Sequence, residues 1–248
     1  MKKVLLVLAI LSLALLCACG LNIEPATEGL SYTLLEDDTY AVSCGEATNE
    51  KSIVIPAKHE GKKVTAIMDS AFKGCTTLEN VRIPNTVTKI GNYAFQGCTG
   101  ITKVSLVDSI SAIGVYAYEG CTNLEEFRFN SVIKIIGERS FQNCSKLKSI
   151  VLPQGLVTVT GGLFMNCTEL ANVYIPDSVT AIYTEAFANC KSLEEVKISQ
   201  SVVGMGTNVF EGCESLTIRS DFRRQPDTWN RDWNPDRVKV VWTTPKVN

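Results

Sequence analysis

Apolar residues recur along this chain at a fixed interval of 23, with polar residues between them. The pattern is anchored by Cys75, Cys98, Cys121, Cys144, Cys167, Cys190 and Cys213, whose numbers rise by 23 at every step with no insertion or deletion. Three residues before each Cys stands an aromatic, and three after it Leu or Ile: Phe72 and Leu78 in the first unit, Tyr118 and Leu124 in the third. Val81, Ile83, Val87 and Ile90 open four further apolar columns. One unit reads Cys-Thr-x-Leu-x-x-Val-x-Ile-Pro-x-x-Val-Thr-x-Ile-Gly-x-x-Ala-Phe-x-Gly. A single copy cannot bury its own apolar face, whereas stacked copies share one continuous core.

The Leu-x-x-Val-x-Ile part alternates as a strand with one face inward, and Pro84, Pro153 and Pro176 end it. Gly91, Gly114 and Gly137 mark a turn, and the Ala-Phe-x-Gly/Asn-Cys run predicts a short helix or 3₁₀ turn. Parallel in-register strands sit about 4.8 Å apart, so roughly seven or eight rungs predict a rod with a sheet on the order of 35 Å long.

From about Ser52 to Leu216 the pattern resembles the bacterial 23-residue leucine-rich repeat of the BspA-like, or Treponema pallidum, type. The resemblance implies an α/β fold: a leucine-rich-repeat solenoid with a parallel sheet on one face, short helical or 3₁₀ turns, and caps at both ends. It also implies adhesion to extracellular-matrix proteins.

The flanks divide the rest. Lys2 and Lys3, an apolar run from Val4 to Leu16 broken only by Ser12, and Leu16-Cys17-Ala18-Cys19 look like a lipoprotein signal peptide of residues 1–18, with Cys19 as the lipidated residue. The run is too short to span a bilayer. Plain secretion and an uncleaved anchor are the other readings, and all three imply export. Acyl chains on Cys19 would hold the protein to a membrane, outer if the cell is Gram-negative, with the solenoid at the cell surface. Residues 19–29 read as a tether, 30–50 as a hairpin cap turning at Glu36-Asp37-Asp38, 51–218 as the solenoid and 219–248 as a C-terminal cap built on Trp229 and Trp233. The first unit carries five extra residues, read as a loop around Lys58–Lys62. After Leu216 the 23-residue register fails, because Arg219 falls where a Val belongs.

Net charge is −2, or −4 once Lys2 and Lys3 are removed, which leaves no electrostatic footprint for nucleic acid. The periodic cysteines have three readings. They are buried small hydrophobes, the preferred one, or disulfides, or metal ligands; parallel Cβ vectors disfavour the second, and a straight column cannot converge on one ion. His59, the only histidine, reads as a solvated loop residue, and Glu125-Glu126 and Glu194-Glu195 as solvated charges. No enzyme, cofactor or metal site is expected.

What remains is surface. Alternation points two rows away from the core, among them Arg82, Lys103, Arg128, Tyr174 and Lys197, varied in type while the core columns stay constant. These five are the candidate partner-binding residues. The expectation is a monomeric, membrane-anchored recognition or adhesion protein that binds an extracellular or host protein, or a glycan. The alternatives are a periplasmic envelope scaffold and an accessory glycan-binding subunit, the last with Tyr174, Trp229 and Trp233 as its only sugar platforms.

Overall fold

The computed structural model describes residues 25–243; the expected leader, Cys19 and the start of the tether lie outside them. The described part opens with β1 (Ser31–Leu34) and β2 (Tyr40–Ser43), then β3 (Ser52–Val54), β4 (Lys58–His59) and β5 (Lys62–Ile67). Each unit then adds a strand from its Leu-x-x-Val-x-Ile part and one from its Val-Thr-x-Ile part: β6 (Asn80–Arg82) and β7 (Lys89–Ile90), β8 (Lys103–Ser105) and β9 (Ala112–Ile113), β10 (Glu126–Arg128) and β11 (Ile135–Ile136). There follow β12 (Ser149–Val151) and β13 (Thr158–Val159), β14 (Asn172–Tyr174) and β15 (Ala181–Ile182), β16 (Glu195–Ile198) and β17 (Gly204–Met205), and finally β18 (Thr217–Ser220) and β19 (Lys239–Trp242).

These strands wind a parallel-sheet solenoid of about nine turns. The main sheet runs β8-β10-β12-β14-β16-β18-β19, and β3 and β6 form a parallel pair of the same series. The second layer runs β1-β2-β5-β7-β9-β11, followed by a separate β13-β15-β17. Partners stand 23 residues apart, as in Phe127 opposite Val104 and Val173 opposite Ile150.

The core between the layers is a set of columns. The rings of Phe72, Phe95, Tyr118, Phe141, Phe164, Phe187 and Phe210 stack nearly parallel at centroid spacings from 5.1 to 5.6 Å. Beside them the cysteines are buried free thiols, and from Cys98 onward each donates from Sγ to the carbonyl of the aromatic one rung back: Cys98 to Phe72 O at 3.0 Å, Cys144 to Tyr118 O at 3.2 Å. Cys44, half-buried, packs at the start of this core.

The expected helical or 3₁₀ turns are corrected: the described residues contain no helix. The reason is competition for backbone hydrogen bonds. In the first such turn the N–H groups of Ser70, Phe72 and Gly74 donate to the next rung's Asn92, Ala94 and Gln96, and only the alternate Ala71, Lys73 and Cys75 close turns on their own segment. A helix would need every one of them. The residue before each Cys is left-handed, and the sequence places Gly or Asn there, the residues that tolerate it. Where Asn stands, its amide adds a bond to the neighbouring rung: Asn166 Nδ2 donates to Asn143 Oδ1 and Asn189 Nδ2 to Asn166 Oδ1, both at 2.9 Å.

The glycines after the Ile columns are required by close approach. A Cβ on Gly114 would lie 2.5 Å from Asn92 N. Thr160 stands at this position two units on, and there the second layer opens: β11 and β13 are unpaired, and Thr160 Oγ1 donates to the Ile136 and Gly137 carbonyls at 3.1 and 3.2 Å. Tyr183, one unit further, also replaces the Gly but keeps its backbone bond to Val159 O. The substitution Gly114→Ala is expected to cost about 1–3 kcal/mol by overpacking and to lower the urea midpoint; an unchanged midpoint would show that the rungs can separate freely. Asn130, another departure, replaces Pro and holds its turn by four bonds, to Val107 O and Ile110 O and from Val132 N and Ile133 N.

The ends also differ from expectation. Residues 58–62 are not a loop: β4 turns back antiparallel on β5. The N-terminal hairpin forms and joins the second layer as its outermost strands, β2 parallel to β5. The register does not fail after Leu216. It shortens by one residue, so that Ile218 pairs with Val196 and Arg219 with Lys197, and β19 adds on with Val240 opposite Ile218. The segment read as the C-terminal cap adds β19 to the main sheet as its last strand, while Trp233 meets Phe210 edge-on at 6.2 Å.

Candidate functional site

Strand alternation sets one outward row along the main sheet: Arg82, Ser105, Arg128, Val151, Tyr174 and Lys197, extended by register to Arg219 and Val241. Val151 and Tyr174 are 65% and 50% exposed, large apolar surface that no core contact explains. A second row includes Asn80, Lys103, Glu126 and Glu195. Ion pairs lie along this face: Lys103 Nζ to Glu126 Oε1 at 2.9 Å within the second row, Lys197 Nζ to Asp221 Oδ2 at 3.0 Å, and Arg219 Nε to Glu195 Oε2 at 2.6 Å between the two rows. Exposed pairs of this kind add about 0–1 kcal/mol each, so their main effect is to position charge. The lysine partner holds the Glu126 carboxyl below the usual range, and the Asp221 carboxylate raises the Lys197 ammonium.

The main sheet is not continuous. Between β6 and β8 the ladder is absent, and a cleft of about 690 Å³ opens on the outward face. Its rim carries Asn80, Arg82, Lys103, Ser105, Glu126 and Arg128, and its floor Val81, Ile83, Val104, Phe95 and Tyr118. The rungs close again on both sides of it: a Cβ on Gly100 would lie 2.6 Å from Leu78 O, and Ser109 Oγ donates to Val87 O at 2.6 Å. A second hollow of about 610 Å³ follows between β10 and β12, where the ladder is reduced to the Glu126–Ser149 pair; Phe127, Phe129 and Val151 line it, and it shares Glu126 and Arg128 with the first.

Tyr118 is the exception in the aromatic column, the one phenol among six Phe rings. It is 1% exposed, and burial pushes its phenol well above the usual range.

Of the residues expected from sequence, Arg82, Lys103 and Arg128 come together around the first cleft. Tyr174 on β14 and Lys197 on β16 share the outward row but stand away from it. Trp229 and Trp233 are not sugar platforms: both are buried, and Trp229 Nε1 donates to Val202 O at 2.9 Å. His59 is not a solvated loop residue; it lies in β4, stacked on Tyr32 at 3.7 Å and against the edge of Tyr40 at 4.9 Å. The break in the ladder was invisible to sequence reasoning. Tyr118 was visible as a departure from Phe. Among the described residues no three His, Cys, Asp or Glu side chains are grouped to hold a metal ion. The chemistry this face offers is binding: apolar hollows beneath a rim of cations, amides and hydroxyls.

Residues 43–168 and 111–221 match the family model of the BspA type leucine rich repeat region, a model of six copies, and together cover well over half of the protein. A leucine rich cell surface protein from Faecalibacterium prausnitzii A2-165 is 32% identical over 84% of this chain and 58% of its own length, with a TM-score of 0.72. This chain therefore spans less than two thirds of that protein. The leucine rich repeat protein of T. pallidum is 28% identical over 88% of this chain and 98% of its own, also at a TM-score of 0.72. A leucine-rich repeat protein from Eubacterium ventriosum ATCC 27560, 23% identical with a TM-score of 0.63 over 79% of this chain and 51% of its own, shares the fold. No curated protein matches the sequence.

Proposed function

Because the chain belongs to the BspA-type leucine-rich repeat family, we propose that it is a non-enzymatic recognition protein, held at a cell surface by acyl chains on Cys19, that binds a protein or glycan partner through the outward face of its main sheet. The observation that carries this reading is the contrast between the two sides of each strand. Inward residues repeat nearly unchanged from rung to rung, while the outward row passes from Arg and Ser through Val151 and Tyr174 to Lys and Arg. Packing and solubility do not call for that variety, whereas a rigid sheet presenting varied side chains suits a specific partner.

Protease shaving of intact cells, followed by blotting for fragments of residues 51–218, tests the location. Loss of signal without lysis is expected; protection until lysis would put the solenoid in the periplasm and favour an envelope scaffold. Binding is tested by charge reversal at Arg82, Arg128 and Lys197 together. Binding to a matrix protein or glycan found by screening should weaken at least about tenfold while Tm stays within a few degrees, and unchanged binding would move the site off this face.

A further inference from the structure

We infer that Cys44 and Cys75 are a redox-sensitive pair, which a disulfide oxidant joins into a bond that staples the N-terminal hairpin to the first turn of the solenoid. The inference goes beyond the proposed function and does not depend on it, since it concerns the end of the stack and not its outward face.

The first argument is place in the repeat. From Cys98 to Cys213 each column thiol sits against the residue at the aromatic position one rung back and donates from Sγ to its carbonyl, at 3.0 to 3.2 Å. Backbone bonds identify the residue that holds this position one rung before Phe72. Phe72 N donates to Ala94 O and Phe95 N to Ala117 O, in each case to the residue just ahead of the next ring. By the same rule Cys44 N donates to Ala71 O at 2.9 Å, just ahead of Phe72. Ala47 N then closes on Cys44 O at 2.8 Å the turn that Cys75 N closes on Phe72 O at 3.1 Å. Cys44 therefore stands where the next ring of the column would be, and Cys75 lies against it as Cys98 lies against Phe72.

The second argument is contact. The Cys75 thiol is hydrogen-bonded with the Cys44 side chain, so the two sulfurs are already neighbours. Parallel Cβ vectors, which disfavour a bridge within the column, do not arise here, because the two residues occupy different positions of the repeat.

The third argument is access. Cys44 is half-buried, and Cys75 is 5% exposed where every other thiol of the column is at 0%. Burial, with Cys44 beside it, raises Cys75 to about 11, against about 12 for Cys98 and Cys213. An oxidant thus meets this pair first, while the column behind it is closed off.

The chemistry is thiol–disulfide exchange with a small-molecule or protein disulfide. Cys44 loses its proton to solvent and its Sγ attacks one sulfur of the oxidant, forming a mixed disulfide and releasing the first thiol. Cys75 then loses its proton and attacks Cys44 Sγ, which breaks the mixed bond and releases the second thiol. Two protein thiols are oxidised and one disulfide is reduced to two thiols. The new bond closes the stretch that holds β3, β4 and β5. A terminal rung has a neighbour on one side only, so this is the end where a cross-link adds most.

Incubation of the whole protein with oxidised glutathione under native conditions, followed by acid quenching, alkylation and mass spectrometry of unreduced fragments, tests this. A Cys44–Cys75 bond is expected, with Cys98 to Cys213 remaining thiols. The oxidised protein should melt roughly 5–10 °C above the reduced one, and dithiothreitol should reverse the shift. In Cys75→Ala the reaction should stop with glutathione on Cys44, which reports the first step separately. In Cys44→Ser oxidised glutathione should leave Tm unchanged. Failure of the native protein to react, arrest of the parent at the mixed disulfide, a bond from either residue to a different cysteine, or an oxidised form no more stable than the reduced one would each overturn the inference.

Discussion

Between pH 9 and 11 the folded protein is expected to lose most of its stability, at roughly 10 kcal/mol per pH unit once all seven periodic thiols take part. Burial pushes Cys98 and Cys213 up to about 12 and Cys75 to about 11, from an ordinary value near 9.0, and holds the inner four well above it. Below about pH 9 the folded and unfolded states both keep these protons, and the thiols add no pH dependence. Above it the unfolded state releases them while the folded state retains them until about pH 11 or 12, so stability falls as pH rises through that window. Each thiol contributes a slope of about 1.4 kcal/mol per pH unit, and seven act together because one cooperative unit buries them all. Urea midpoints followed by circular dichroism from pH 7 to 10.5 under reducing conditions would check this. Cys144→Ala with Cys167→Ala should lessen the slope by roughly 3 kcal/mol per pH unit. A midpoint that stays flat to pH 10.5 would mean that the thiols are not buried as a column.

Phe141→Ala is expected to cost about 3–5 kcal/mol, the largest single-site effect in the molecule. Phe141 is fully buried in the middle of the column, 5.6 Å from Tyr118 and 5.5 Å from Phe164, and it is also the ring against which Phe127 and Phe129 pack edge-on at 4.7 and 5.9 Å. Turn bonds on both sides, Tyr118 N to Ser140 O at 2.8 Å and Phe141 N to Leu163 O at 3.1 Å, fix the rung spacing, so the neighbours cannot collapse into the vacated space, and the cavity term is retained. In a solenoid each rung contacts only its neighbours, so a weak central rung also divides the cooperative unit. Urea unfolding followed by circular dichroism, which reports the whole protein, and by fluorescence of Trp229 and Trp233, which reports the C-terminal end, should therefore give separate midpoints in this variant and coincident ones in the parent. Phe141→Leu, which keeps much of the volume, should cost clearly less. A loss below about 1 kcal/mol for the alanine variant would show that the column does not hold the rungs together.

Much of this architecture was legible in the sequence. The interval from Cys75 to Cys213, the aromatic three residues before each Cys and the alternation around Val81 and Ile83 identify which side chains face inward, because burial repeats with the winding. The outward placement of Arg82, Lys103, Arg128, Tyr174 and Lys197 follows from the same alternation. The last two rungs were missed because one residue is dropped between Val196 and Ile218, and a strict 23-residue ruler then reads every side chain on the wrong face. His59 was misplaced because its stacking partner Tyr32 lies on a different strand of the hairpin region.

The sequence by itself determined the period, the strands of the main sheet, the columns of the core and the row that faces solvent, but not the second layer of strands that the Val-Thr-x-Ile parts form. These depend on one residue's character at a time, repeated until no other arrangement buries the apolar side. Tertiary structure alone decided that the Ala-Phe-x-Gly/Asn-Cys runs are turns and not helices, since each N–H can bond within its own turn or to a rung 22 residues on, and only the stack settles which. It alone decided where the ladders part, at β6 against β8 and at β11 against β13. The distance between two rungs is set by everything packed between them, from Gly114 holding its neighbour close to Thr160 keeping its own away, and no single unit of the repeat contains that sum.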